Sequence, residues 1–139
     1  IKVEEDLLNN STDQYKEYSF YSDGNQPIRV TLCWTDVPGT YTSANDSRTP
    51  VLVHDLDLKV IYGSTTNYPY SLNYQYPTSN ATAVAENDVD NVEQVYIDSP
   101  SAGDYKILVD FDGVLDDSEQ WFSLIVSGNV KPGTLILIQ

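Results

Sequence analysis

Asp55-Leu56-Asp57-Leu58-Lys59-Val60 is the clearest structural signal in this 139-residue chain. Its aliphatic residues alternate strictly with charged ones. Because successive side chains of a β-strand point to opposite faces, this period of two places the three aliphatic side chains on one face. The stretch Tyr105-Lys106-Ile107-Leu108-Val109 has the same period. Both stretches therefore predict β-strands.

On both sides of this stretch, strand-like runs recur along the chain and are separated by turn residues. Asp23-Gly24-Asn25 and Val37-Pro38-Gly39 are turn sequences, because Gly tolerates and Pro presets the backbone angles that tight turns need. No segment has the sustained apolar period of a helix. The predicted strands lie at 15–21, 28–34, 56–60, near 68–74, and at 92–97, 105–109, 121–126 and 134–138. About eight short strands predict an all-β fold, an antiparallel β-sandwich or jelly roll.

The length suits one domain with one core. We expect residues 1–128 to form a jelly-roll domain and residues 129–139 to be a final strand or the start of a downstream segment. Trp34 and Trp121 fall within predicted strands, where large rings would fill a sandwich core. The one cysteine, Cys33, lies in an apolar run and is predicted to be a small core residue rather than a reactive thiol.

The charge of the chain restricts its partners. Seven basic residues stand against 21 acidic ones, for a formal net charge of −14. Without a basic patch, counterion release from phosphate cannot drive binding, so we expect no nucleic-acid partner. Anionic lipid is disfavoured for the same reason, and no apolar run is long enough to span a membrane. The acidic surface is explained either by solubility or by bound Ca²⁺.

The residues for catalysis are sparse. The only histidine, His54, is adjacent in sequence to Asp55, but strand neighbours point to opposite faces, so this pair does not predict a triad. No nucleophile elbow, phosphate-binding loop or clustered zinc ligands are present. Carboxylate pairs leave an independent glycosidase open, and abundant Tyr and Trp leave a carbohydrate-binding module open. We expect His54 to be structural.

The most specific polar signal is rich in oxygen ligands. Asp55 and Asp57 stand at a strand start, and residues 86–93 form the dense run Glu-Asn-Asp-Val-Asp-Asn-Val-Glu. Ca²⁺ takes six to eight carboxylate, amide and carbonyl oxygens, and such a run supplies several of them. The alternative is a polar loop with turn-forming Asx side chains. A second acidic loop, near Asp112–Glu119, reads as a solvated turn.

Five stretches, in this order, resemble the C-terminal β-domain that follows the catalytic domain of large subtilisin-like (S8 family) serine proteases. That domain is a jelly roll similar to the P-domain of kexin and the proprotein convertases. The likeness covers roughly residues 14–128. The stretches are Val30–Gly39 (VTLCWTDVPG), Val53–Leu58 (VHDLDL), Asp90–Val95 (DNVEQV), Ser99–Tyr105 (SPSAGDY) and Trp121–Gly128 (WFSLIVSG).

The resemblance implies a non-catalytic accessory domain of a secreted protease. The catalytic triad would lie upstream in the same polypeptide, and this domain would pack on the catalytic domain and stabilise it. We expect the chain to be monomeric. The family usually has Asn where His54 stands, and residues 64–85 lack its Gly-rich spacing. Some relatives bind Ca²⁺ here, and the metal-ligand candidates carried over by motif position are Asp57, Asp88, Asp90, Asn91 and Glu93, with Asp36 as a weaker one.

Overall fold

A computed structural model describes residues 1–41, 43–45, 47 and 49–128, together with the backbone of Ile136–Ile138. In these parts the chain is all-β, as predicted. A single 3₁₀ turn, Asp116–Ser118, precedes the eighth strand. The strands are β1 (Lys2–Asn9), β2 (Lys16–Ser22), β3 (Ile28–Trp34), β4 (Asp55–Tyr62), β5 (Thr65–Asn67), β6 (Val92–Ile97), β7 (Gly103–Asp112), β8 (Glu119–Ser127) and β9 (Ile136–Ile138).

The strands form two sheets with a jelly-roll order. The first sheet runs β1-β8-β3-β6 and the second β5-β4-β7-β2-β9. Among the first eight strands, the first pairs with the eighth, the second with the seventh, the third with the sixth and the fourth with the fifth, all antiparallel. This nested antiparallel pairing, distributed over two sheets, is typical of a jelly roll, and the predicted β-sandwich is confirmed.

Some strand predictions need correction. β1 was not predicted, and no strand lies at 68–74, where the structure has only an isolated bridge between Ser71 and Thr82. β5 lies just before that segment instead. The predicted last strand is found at Ile136–Ile138, paired with β2, and its first two positions, 134 and 135, fall outside the described residues. No helix in the described part of the chain is long and apolar enough to cross a membrane.

The core lies between the sheets and consists of the apolar residues that alternate along the strands. The inward residues of β4 and β7 are those predicted, and Trp34 is 5% exposed in the same core. Trp121 was predicted to be buried, but it is 60% exposed. Because Phe122, Leu124 and Val126 point inward on β8, Trp121 must point outward. The same parity puts Cys33 on the outer face, half-buried, so its predicted core position is also wrong.

A turn at Gly24 locks the β2–β3 connection against the segment before β7. Gly24 has φ +77°, and a Cβ atom there would lie 2.9 Å from the backbone nitrogen of Ala102. Gly113 has a similar φ of +75° with open space around it. Both turns use a left-handed conformation that L-residues avoid, but only the first is also closely packed.

These two glycines make a matched test of that packing. We expect Gly24→Ala to lower the free energy of unfolding by about 3 kcal/mol, because left-handed strain and a backbone clash add up. Gly113→Ala should cost only about 1 kcal/mol, since strain acts alone. Urea denaturation of both variants measures the difference. Equal losses would show that the Gly24 contact contributes nothing to stability.

Candidate functional site

Three of the stretches that carry the resemblance meet at one end of the sandwich. The indole Nε1 of Trp34 donates to the carbonyl of His54 over 3.0 Å inside the protein. The backbone N–H of Trp34 donates to the carbonyl of Asn91, and the side-chain amide of Asn91 donates back to the carbonyl of Trp34 over 3.0 Å. These bonds tie β3 to the segments that enter β4 and β6.

Asp36 fastens the segment that enters β4. One oxygen of its carboxylate accepts the backbone N–H groups of His54 at 2.8 Å and Val37 at 2.9 Å, and the other accepts that of Val53 at 2.8 Å. A charged acceptor with several backbone donors makes a strong clamp. The structure therefore gives this candidate a structural role, and its role as a metal ligand stays a prediction.

His54 is enclosed at the centre of this end. It is 1% exposed, and its Nδ1 lies 2.6 Å from Oε1 of Gln120. The amide nitrogen of Gln120 donates to the carbonyls of Thr35 and Trp121, so Oε1 is the acceptor and Nδ1 carries the proton. Nε2 of His54 is buried without a hydrogen-bond partner. We call these contacts of Trp34, Asp36, His54, Asn91 and Gln120 the buried polar network.

A cluster of carboxylates lies beside the network, where the edges of the two sheets approach. Glu93 of β6 points inward and is 0% exposed, and its Oε2 accepts the backbone N–H of Leu58 on β4 over 2.8 Å. Its Oε1 is buried without a partner, as is Oδ1 of Asp55. Asp57, two residues after Asp55 on β4, is 3% exposed. Unpaired carboxylate oxygens at such depth are costly unless something compensates their charge.

The electrostatics of this carboxylate cluster reflect that cost. Burial, with a further contribution from Asp57 and Asp55, raises the pKa of Glu93 to about 9. Burial, and then the charge of Glu86, raises the pKa of Asp57 to about 8. Burial, and then the charge of Asp88, raises the pKa of Asp55 to about 6. In each case burial and neighbouring negative charges outweigh the contacts that favour the ionised form, such as the backbone N–H of Leu58 for Glu93 and the charge of Lys59 for Asp57.

One cation compensates part of this charge. Nζ of Lys59 lies 2.6 Å from Oε1 of Glu86 and 3.1 Å from Oδ1 of Asp110. These ion pairs draw the loop before β6 across the outer face of β4. Lys59 is thus paired with two acids other than Glu93 and Asp55, each of which keeps one buried oxygen without a partner.

The structure brings the metal-ligand candidates together only in part. Asp57, Asp88 and Glu93 lie close enough for the charges of Asp57 and Asp88 to raise the pKa of Glu93. Asp90 accepts a hydrogen bond from Asn87 at 3.0 Å, and Asn91 is used by the network. Within the described residues, no three His, Cys, Asp or Glu side chains are grouped so that they could hold a metal ion.

The donor chemistry nevertheless fits a hard cation. The buried oxygens of Glu93 and Asp55 are the type of ligand that Ca²⁺ takes. Three residues of this region were not on the list of candidates: Asp55, Glu86 and the buried Asn87. All three lie in the oxygen-rich stretches that the sequence indicates, although the resemblance did not carry them over as ligands. Gln120 carried no such signal, because its role depends on contacts 66 and 85 residues away in sequence.

Comparison with known proteins assigns no family. No protein-family model matches the chain, and no curated protein matches it by sequence.

Proposed function

We propose that this chain is a non-catalytic accessory domain of a secreted subtilisin-like serine protease, which stabilises the catalytic domain of the same polypeptide. The proposal is supported by the role in the fold of the stretches that resemble the protease accessory domain. Polar groups of Trp34, Asp36, His54 and Asn91 are held by backbone and amide partners in one buried network, although Nε2 of His54 has no partner. Residues held in this way stabilise a fold, which supports a non-catalytic role.

Burial argues in the same direction against an independent hydrolase. A general acid or base must come within hydrogen-bond reach of its substrate. His54, Asp57 and Glu93 have almost no exposed surface, so a substrate could not reach them in this fold. Perturbed carboxylates often mark active sites, but structural ion clusters perturb pKa values too. Here the perturbed carboxylates of Asp57 on β4 and Glu93 on β6 are buried, which favours a structural or ion-binding role.

The proposal includes calcium. Asp57 and Glu93 would hold the ion, with Asp55 and Asp88 beside them and Asp90 and Asn91 in the loop that would close over it. A divalent cation would neutralise the buried charge of Glu93 and the part of the Asp57 charge that Lys59 leaves uncompensated. Because an ion that binds only the folded state stabilises it by mass action, folding would then be linked to calcium.

A carbohydrate- or protein-binding module is the second candidate, and one specific observation favours it. Trp121 lies exposed on the outer face of the first sheet instead of in the core. Exposed aromatic rings on a sheet are typical of binding surfaces. The two functions are compatible, because an accessory domain can also carry a binding face.

Two measurements test the accessory-domain proposal. We expect the reading frame of the gene to encode a secretory signal and an Asp-His-Ser catalytic domain upstream of Ile1. We also expect the purified 139-residue chain to cleave neither casein nor a panel of polysaccharides. A reading frame without a protease domain would overturn the proposal, and so would hydrolysis by the purified chain.

A further inference from the structure

An open groove crosses the outer face of the first sheet beside Trp121. Its volume is about 630 Å³, within the range of about 300–1,000 Å³ common for ligand sites. The indole of Trp121 forms one side, and Cys33 and Val37 contribute apolar surface. The groove is also lined by the buried residues Trp34, Gln120 and Phe122, but Glu5, Asp117, Glu119 and Trp121 are exposed, so a ligand could reach them without disturbing the packing of the sandwich.

The charges around this groove all have one sign. Glu5 of β1, Asp117 of the 3₁₀ turn and Glu119 of β8 line it, and no Lys, Arg or His among the described residues does so. None of these three acids takes part in an ion pair within the part of the chain that the structure describes. The groove therefore offers uncompensated carboxylates next to an exposed aromatic face.

We propose that this groove is a docking site for an arginine-bearing segment of another polypeptide. Trp is the aromatic side chain that attracts cations most strongly over its face. A guanidinium both stacks on an indole and donates two parallel hydrogen bonds to a carboxylate, which an ammonium does less well. The aliphatic stem of the arginine would lie on the apolar surface of Cys33 and Val37.

Charge complementarity selects this occupant over the others. A neutral sugar would also stack on Trp121, but it would have to desolvate three carboxylates without neutralising them. A second copy of the chain carries the same formal charge of −14 and would be repelled. The inference goes beyond the accessory-domain function and does not depend on it, because it rests on the groove alone.

Tryptophan fluorescence provides the test. The chain has two tryptophans, and only Trp121 is exposed, so an occupant should shift its emission to shorter wavelength. The ligands are a blocked tetrapeptide with one arginine, the same peptide with neutral citrulline, and maltohexaose. We expect the arginine peptide to bind saturably with a Kd below about 10 mM, and salt to weaken this binding several-fold. The citrulline peptide should bind at least about tenfold more weakly.

Variants and a second readout keep the test independent of folding. The Glu119→Gln variant should bind the arginine peptide several-fold more weakly, while the circular dichroism of the variant stays that of the unsubstituted protein. Cys33 is the only thiol and lines the groove, so bound peptide should slow its reaction with a thiol reagent several-fold. Equal binding of the arginine and citrulline peptides, binding of the oligosaccharide alone, or self-association through this face in sedimentation would each overturn the proposal.

Discussion

At pH 8 in the presence of a calcium chelator, the Glu93→Gln protein is expected to melt at a higher temperature than the unsubstituted protein. Glu93 is fully buried, and burial raises the pKa of its carboxyl to about 9. Glutamine is neutral and nearly isosteric, and its carbonyl oxygen can still accept the backbone N–H of Leu58. We expect a gain on the order of 2 kcal/mol, or roughly 6 °C in Tm.

The pH dependence has a definite sign. In the unfolded chain the Glu93 carboxyl titrates near its ordinary pKa of 4.5, whereas in the folded chain its pKa is about 9. Between these values the folded state holds a proton that the unfolded state has lost, so stability falls as pH rises from about 5 to 9. Asp57, with a pKa of about 8, contributes in the same direction. Glu93→Gln should flatten this decline.

Calcium should reverse the ranking of the two proteins. About 10 mM Ca²⁺ at a Kd of about 10⁻⁴ M would stabilise the unsubstituted protein by about 2.7 kcal/mol, because the ion binds only the folded state. Glu93→Gln lacks one charged ligand and should respond far less. Differential scanning calorimetry from pH 5 to 8, with chelator or with calcium, measures both effects. A matched control is Glu119→Gln, an exposed glutamate, whose Tm should stay within about 2 °C of the unsubstituted protein.

Two results would contradict this part of the account. A Tm that rises with pH in chelator would show that the buried carboxylates already have compensating partners. An unsubstituted protein whose Tm does not change with millimolar calcium would remove the metal site, and the accessory-domain proposal would then rest on the buried polar network alone.

Trp34→Ala is expected to lower the free energy of unfolding by about 4 kcal/mol, the size typical of a large aromatic removed from a core. The indole of Trp34 is 5% exposed and its Nε1 satisfies the buried carbonyl of His54, so the substitution leaves both a cavity and an unpaired acceptor. Trp34→Phe keeps most of the ring and should cost about half as much. Urea denaturation followed by far-UV circular dichroism gives these values.

The second tryptophan supplies the control. Trp121 is 60% exposed on the outer face of β8, so Trp121→Ala should change stability by less than about 1 kcal/mol. Similar losses for the two variants would mean that neither the packing of Trp34 nor its hydrogen bond in the buried polar network contributes much to stability.

The sequence predicts the central strands well because their period is clean. β3, β4, β7 and β8 have one face in the core, and their apolar residues alternate accordingly. β1 was missed because it is an edge strand with a mixed pattern. Its Asp6 faces the same way as Leu8, yet lies at the rim, where the hydroxyl of Tyr18 donates to it over 2.7 Å and Lys16 lies 3.4 Å away. Because such a polar residue takes the place of an apolar one, the strand lacks the alternating pattern that indicates a β-strand.

The site was less predictable, for a different reason. Composition pointed to the acidic stretches, and the structure places Asp57, Asp88 and Glu93 in one electrostatic cluster. Which of their oxygens are free depends on long-range backbone contacts, such as that of Leu58 with Glu93, and these cannot be read from local sequence. Trp121 was assigned to the core because a strand position alone does not say which face is buried.

The most direct test of the central claim is the thermal inactivation of the full-length polypeptide encoded by the gene. Trp34→Ala in this domain should leave the initial rate of casein cleavage unchanged and shorten the half-life of activity at elevated temperature severalfold, with Trp121→Ala as the control. An unchanged half-life, or a full-length polypeptide with no proteolytic activity, would contradict the account.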